Sequence, residues 1–218
     1  MEIPLFPLRT VLFPGMALPL QIFEERYKAM TRELLANGGE FGVLLIREGE
    51  EVGGGAVPFD VGTTASIERA QEVANGRFLI TARGERRFRL LHTLPPRPYP
   101  YGEVVFLDED PNQADDPQVK VLEEHVRELF PRYFRLALSL TDQWARGLRL
   151  PERPEDLVNF LAPWLQAEEL EKQKLLEAED LPSRLEQLSN LIDRLFAKTE
   201  SEATHYRRRK YHGFGARN

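Results

Sequence analysis

The sequence predicts an α+β protein: a bent, mainly antiparallel barrel with one helix, followed by a bundle of about four helices. Short β-prone runs broken by turn residues continue to residue 107, and an acidic segment without periodicity spans residues 108–117. The rest of the chain has the apolar spacing of amphipathic helices. We therefore predict a strand-rich part at 1–111, a helical part at 116–204 and a basic tail at 205–218.

The composition narrows the classes of function. The 218 residues are enough for one large domain or two small ones, each of about 100 residues. The 29 Lys and Arg are outnumbered by 35 Asp and Glu, so the net charge of −6 argues against binding nucleic acid over the whole surface. The absence of cysteine excludes disulfides, thiolate nucleophiles and cysteine-ligated zinc. Without a signal peptide or a membrane-length apolar run, a cytoplasmic protein with no membrane contact is expected.

Proline-containing apolar clusters open the chain. Proline has no N–H to donate to the hydrogen-bond ladder of an inner strand. The clusters therefore predict short extended segments at a sheet edge or rim. These prolines are Pro4, Pro7, Pro14 and Pro19. Pro14-Gly15 predicts a tight turn. Helical spacing then begins, with an apolar face formed by Phe23, Tyr27, Met30 and Leu34.

Further strands alternate with turn signals, and the predicted strands are 41–46, 61–70, 77–90 and 101–107. Residues 48–55 are polar and glycine-rich and predict a mobile loop. Asn75-Gly76 predicts a hairpin turn, since both positions accept a positive φ. Gly84 interrupts its strand and predicts a β-bulge.

Helical signals follow the acidic segment. Asp116 and Pro117 predict a helix start, and Pro131 predicts a kink or a new helix. Two later apolar sets keep helical spacing: Leu157, Phe160, Leu161, Trp164 and Leu165, then Leu181, Leu185, Leu188, Ile192 and Leu195.

Several motifs occur together along the chain. They are P-L-F-P-L at Pro4 to Leu8, L-F-P-G at Leu12 to Gly15, L-Q-I-F-E-E-R-Y at Leu20 to Tyr27, G-T-x-A-x-I at Gly62 to Ile67, G-x-R-R-F-R-L at Gly84 to Leu90, and K-Q-x-L-L-E followed by D-x-x-x-R-L from Lys172 to Leu185. In combination they resemble the LON N-terminal domain, the substrate-recognition domain of ATP-dependent Lon proteases, which also occurs as a free-standing protein. The resemblance extends to about Phe196, with a departure between Phe130 and Leu150.

The resemblance implies a PUA-like pseudo-barrel in the strand-rich part and a free-standing module that recognises protein substrates. It also implies an ion pair made by Arg26. The sequence contains neither the G-x-x-x-x-G-K-[ST] loop nor the Ser-Lys protease domain that Lon proteases need. We therefore expect no ATPase, no protease and no other enzyme activity, and no cofactor.

The candidates for peptide binding flank the predicted turn, where full burial is difficult: Leu12, Phe13 and Met16. For these three, a core and a surface position are weighed equally. A scaffold role is favoured for Leu5, Phe6, Leu8, Leu20 and Phe23. An apolar groove would bind unfolded or partly folded protein segments without needing a fixed sequence, with a protease or chaperone as a further partner.

Two other hypotheses are weaker. A PUA-like RNA-binding protein would use the cations of the tail, although a solvated tail is favoured: Arg207, Arg208, Arg209 and Lys210. An enzyme would need a nucleophile–base pair or a metal site. The histidines lack metal-ligand spacing, so no metal site is predicted; they are His92, His125, His205 and His212.

Overall fold

The computed structural model describes residues 1–108, 110–141, 143–144 and 147–212, without the side chains of Pro111 and residues 206–212. The strands are β1 Glu2–Leu8, β2 Ala17–Ile22, β3 Phe41–Glu48, β4 Val57–Val73, β5 Arg77–Leu94 and β6 Tyr101–Phe106. The α-helices are α1 Glu25–Asn37, α2 Pro117–Leu140, α3 Pro154–Leu161, α4 Glu169–Glu177 and α5 Leu181–His212. The predicted α+β class is confirmed.

The chain forms two compact units. The first contains Met1–Glu109 and Glu168–Glu179, and therefore all six strands with α1 and α4. The second contains Asp110–Ala167 and Asp180–Asn218, with α2, α3 and α5. The predicted helical part, 116–204, included the α4 segment. Helical periodicity identifies such a segment but does not say which unit it packs against.

The strands of the first unit pair in the order β2-β5-β4-β3-β1-β6, and β5 also pairs with β6. β1 and β3 are parallel, and the other pairs are antiparallel. Five strands thus form a closed circuit of pairs, from β5 through β4, β3, β1 and β6 back to β5. β2 pairs with β5 alone. One edge of β2 is consequently unpaired in the described part of the chain.

The predicted edge position of the prolines is confirmed for β2 and wrong for β1. β1 lies between β3 and β6, with Pro7 opposite Leu44. The N–H of Leu5 donates to the carbonyl of Pro100 at 2.8 Å instead of to β3. Because successive N–H groups of a strand point to opposite sides, the nitrogen of Pro7 also points away from β3. An inner strand tolerates a proline at such a position.

The predicted turn at Pro14-Gly15 and the predicted bulge at Gly84 are both confirmed, and they dock on each other. The N–H of Met16 donates to the carbonyl of Phe13 at 3.0 Å, and Gly15 has φ 79, as a type II turn requires. The β4–β5 register shifts beside Gly84. A Cβ on Gly84 would lie 2.3 Å from the carbonyl oxygen of Phe13, so only glycine allows this approach.

The second unit is built from amphipathic helices. The apolar faces of α2 and α5 are largely buried: Val119, Val126, Leu129, Phe130, Leu181, Leu185, Leu188, Ile192 and Leu195. α2 continues through Pro131 to Leu140, so the predicted start of a new helix at Pro131 is wrong. Trp164, predicted on an apolar face, is 53% exposed and packs edge-on against Phe134.

The N-cap of α2, Asp116, is expected to stabilise the second unit, and this can be tested. The Asp116 carboxylate accepts a hydrogen bond from the N–H of Gln118 at 2.7 Å, as an N-cap does. Asp116→Ala is expected to lower the free energy of unfolding of the second unit by about 1 kcal/mol. Urea unfolding followed by tryptophan fluorescence measures this, because both tryptophans belong to that unit. Asp115→Ala, at an exposed position beside the cap, should change the value by less than about 0.5 kcal/mol.

Candidate functional site

The structure places the predicted peptide-binding residues mainly inside the first unit. Leu12 and Phe13 are 1% and 0% exposed, and Met16 is half-buried. The hydroxyl of Thr63 donates to the carbonyl of Leu12 at 2.6 Å, and the turn docks on the bulge at Gly84. Of the two positions weighed for these residues, the structure has the core position for Leu12 and Phe13. Leu12 and Phe13 provide no surface for a peptide in this conformation.

Three of the five predicted scaffold residues are buried, Leu20 is half-buried and Phe23 is exposed. Leu5, Phe6 and Leu8 are buried, and the ring of Phe6 stacks on that of Tyr27 with 4.0 Å between centroids. Phe23, in contrast, is 49% exposed. It lies between the end of β2 and the start of α1, so it does not share the buried face of the helix.

Phe23 lies at an apolar opening beside β2, which we call the β2 cleft. The cleft has a volume of about 150 Å³. It is lined by Phe6, Leu8, residues 19–24, Tyr27, Glu51 and Val52. Val52 comes from the 49–56 loop and is 55% exposed. The cleft is thus bounded by strand β2, by buried rings from β1 and α1, and by the glycine-rich loop.

Backbone groups of β2 also face away from the sheet. The carbonyl of Met16 accepts a hydrogen bond from the N–H of Gly84 at 2.9 Å. Since bonding alternates along an antiparallel pair and β2 has no register shift, the backbone groups of Ala17, Pro19 and Gln21 point away from β5. Pro19 therefore loses no bond to β5. The N–H and C=O groups of Ala17 and Gln21 are therefore directed toward the unpaired edge, where they can pair with another strand.

Charged groups also line the β2 cleft or lie beside it. Arg26 and Glu24 form a half-buried ion pair at 2.9 Å, the pair that the family resemblance implies. Glu24 also accepts from the N–H of Gly53 at 3.3 Å, which holds the loop against the start of α1. Burial raises the pKa of Tyr27 to about 12, with Arg26 opposing and Glu24 and Glu51 reinforcing the rise. Tyr27 is therefore a neutral phenol at pH 7.

A second depression of about 660 Å³ lies along strands β2, β5 and β4. It shares Pro19, Leu20 and Gln21 with the β2 cleft. Its other lining includes polar side chains: Arg69, Gln71 and Thr81. A larger share of the residues that line the β2 cleft is apolar, and Phe23 and Val52 are exposed at its opening, so we regard it as the candidate site.

The remaining predicted groups give no further candidate. Among the described residues, no three His, Cys, Asp or Glu side chains come together as a metal site. His92 lies 3.0 Å from Glu103 and His125 lies 3.1 Å from Asp193, both partly exposed. The backbone of residues 207–210 continues α5, and the side chains of Arg207, Arg208, Arg209 and Lys210 lie outside the described residues. No helix in the described ranges combines the length and apolarity needed to cross a membrane.

Comparison with known proteins identifies the family of this chain. The family model of the ATP-dependent protease La (LON) substrate-binding domain matches residues 2–194. The chain belongs to this family. The LON domain is 26% identical over 196 residues to the Lon protease of Syntrophus aciditrophicus and 28% identical over 201 residues to Lon protease 2 of Syntrophobacter fumaroxidans. These alignments cover 88% and 91% of the LON domain chain and 25% of each relative, so the chain spans about a quarter of their length.

Solved structures resemble the LON domain over most of its length. A Lon N-terminal domain protein from Xanthomonas campestris has a TM-score of 0.64 at 29% identity, covering 86% of this chain and 96% of that one. The N-terminal domain of the Mycobacterium avium complex Lon protease has a TM-score of 0.62 at 19% identity, covering 88% and 98%. The second likeness supports the fold alone.

The sequence alone does not identify Phe23, Glu51 and Val52 as parts of one site. Two signals for it were present. Pro19 in an alternating segment marks an edge strand, and the run of glycines at 53–55 marks a loop that can lie close to other backbone. Neither signal says that the two segments meet, because that contact depends on the fold.

Proposed function

We propose that this LON domain is a non-catalytic module that binds exposed apolar segments of unfolded or partly folded proteins in the β2 cleft. The observation that carries the proposal is an open apolar cleft beside an unpaired strand edge. The family description, a substrate-binding domain of a protease, supports protein chains as the class of ligand.

The size of the cleft favours a side chain over a small-molecule cofactor. Cofactor and drug-sized pockets usually measure roughly 300–1,000 Å³. A space of about 150 Å³ can hold a single benzene ring. Burying an apolar side chain there releases roughly 25 cal/mol per Å² and requires no fixed sequence. The free donors and acceptors of β2 can pair with the backbone of any extended segment.

We also propose that the first unit is a PUA-like pseudo-barrel and that the second is a helical bundle. The closed circuit of five paired strands supports the first assignment. The buried apolar faces of α2 and α5 support the second. In this arrangement the pseudo-barrel carries the binding site at the unpaired edge of β2.

The proposal predicts the effect of charging the opening of the cleft. The double variant Phe23→Asp/Val52→Asp is expected to weaken binding of a dye-labelled unfolded model protein at least about tenfold, because two carboxylates replace the apolar side chains that a ligand would cover. Fluorescence anisotropy measures the affinity. Circular dichroism should be unchanged, since both side chains are exposed.

The matched control is Leu91→Asp/Val105→Asp. These residues belong to the same unit and are 55% and 46% exposed, close to the 55% of Val52 and the 49% of Phe23, but they do not line the cleft. This control should bind as the wild type does. Equal binding by all three proteins, or equal losses in both double variants, would show that the cleft is not the site.

A further inference from the structure

The charges around the β2 cleft indicate what kind of apolar segment it selects, an inference that rests on the proposed function. Two carboxylates line the cleft, those of Glu24 and Glu51. Glu24 is neutralised by Arg26, with 2.9 Å between carboxylate oxygen and guanidinium nitrogen, and the same guanidinium lies 4.5 Å from the centre of the Tyr27 ring. This pair contributes no net charge to the opening.

Glu51 differs from the neighbouring acidic residues. Glu50 forms an ion pair with Arg9 at 2.8 Å, and Glu25 forms one with Lys28 at 2.7 Å. Among the described residues, no cation pairs with the half-buried Glu51. Its negative charge nevertheless reaches the cleft, where it helps to raise the pKa of Tyr27. The opening therefore has an uncompensated negative charge beside the exposed side chain of Val52.

We propose that the β2 cleft selects extended apolar segments flanked by Lys or Arg, and that Glu51 is the residue that determines this preference. A segment lying along β2 places one apolar side chain in the cleft and presents a neighbouring side chain to the 49–56 loop. A cation there pairs with Glu51 and compensates the charge, whereas an Asp or Glu is repelled.

The size of the effect follows from the exposure of the pair. An ion pair at a partly exposed site contributes only a modest free energy of binding. We therefore expect a Lys-flanked peptide to bind about three- to tenfold more tightly than a Glu-flanked peptide with the same apolar centre. The preference should shrink as salt is added, because salt screens exposed charges. A Ser-flanked peptide should bind with intermediate affinity.

The test uses these three peptides, dye-labelled, with the wild-type chain and three variants. Glu51→Gln is expected to abolish the preference for Lys over Glu, because the neutral amide no longer attracts a cation or repels a carboxylate. Glu51→Lys should reverse the preference. Glu50→Gln is the matched control, because it removes the same charge from the adjacent residue, whose carboxylate is already paired with Arg9. It should keep the wild-type preference.

The possible failures are distinguishable. If the peptides bind and respond to Phe23→Asp/Val52→Asp, but the wild type shows no preference or Glu51→Gln retains it, the role of Glu51 is wrong and the proposed function stands. If Glu50→Gln loses the preference as fully as Glu51→Gln does, the preference reflects net charge and the inference is also overturned. If no peptide binds, both the proposed function and this inference fail.

Discussion

Replacing Leu12 with Ala is expected to lower the free energy of unfolding of the first unit by about 2–5 kcal/mol. Leu12 is 1% exposed and belongs to the apolar cluster that contains Phe6, Tyr27 and Phe41. Truncation removes its contacts and leaves a cavity, since the neighbouring strands are fixed by their ladders and cannot collapse fully. A purely surface role for the turn would give a change near zero.

Amide hydrogen exchange of β3 measures this effect, because β3 belongs to the first unit and its slowest amides report the opening of that unit. Met16→Ala is the matched control on the same turn. Met16 is half-buried, so its truncation should cost less than about 1.5 kcal/mol. Similar costs for the two variants would contradict the burial of Leu12.

Replacing Arg87 with Met is expected to destabilise the docking of α4 on the strands by about 2–4 kcal/mol. Arg87 is 3% exposed and donates from Nη1 to the carbonyls of Leu176 and Ala178, both at 2.8 Å. These carbonyls lie at the end of α4, where the helix has no donor of its own and where a cation suits the helix dipole. Methionine keeps much of the side-chain volume but leaves both carbonyls without this donor.

The amides of α4 should then exchange faster, whereas those of the second unit should not change. Arg89→Met is the control two residues along the same strand. Arg89 pairs with Glu179 at 2.9 Å in an exposed geometry, with side chains 38% and 80% exposed, so its loss should cost at most about 1 kcal/mol. Equal effects of the two substitutions would show that Arg87 does not hold the end of α4.

Much of the fold could be predicted from local sequence. The Asn75-Gly76 turn has a positive φ at both residues, 64 and 63, and Gly38 ends α1 with φ 72. Asp116 caps α2. These features depend on the conformational preferences of a few neighbouring residues, which the sequence states directly.

Features set by distant contacts could not be predicted. The inner position of β1 depends on pairing with β3 and β6, and the docking of α4 depends on Arg87 and on Gln173, whose amide nitrogen donates to the carbonyl of Val61 at 2.9 Å. Likewise, Leu12 and Phe13 are buried because Gly84 lets the turn approach a bulge about 70 residues later in the sequence. The sequence does not show whether apolar residues at a turn are covered by another segment of the chain.

Site-specific photocrosslinking tests most directly the claim that the β2 cleft receives apolar polypeptide. A benzophenone amino acid is placed at Val52 in one protein and at Leu91 in another, two positions that are each 55% exposed in the same unit. With an unfolded model protein under illumination, we expect a covalent adduct from position 52, competed by excess unlabelled apolar peptide, and little adduct from position 91. Equal adducts from both positions, or an adduct from position 91 alone, would contradict this claim.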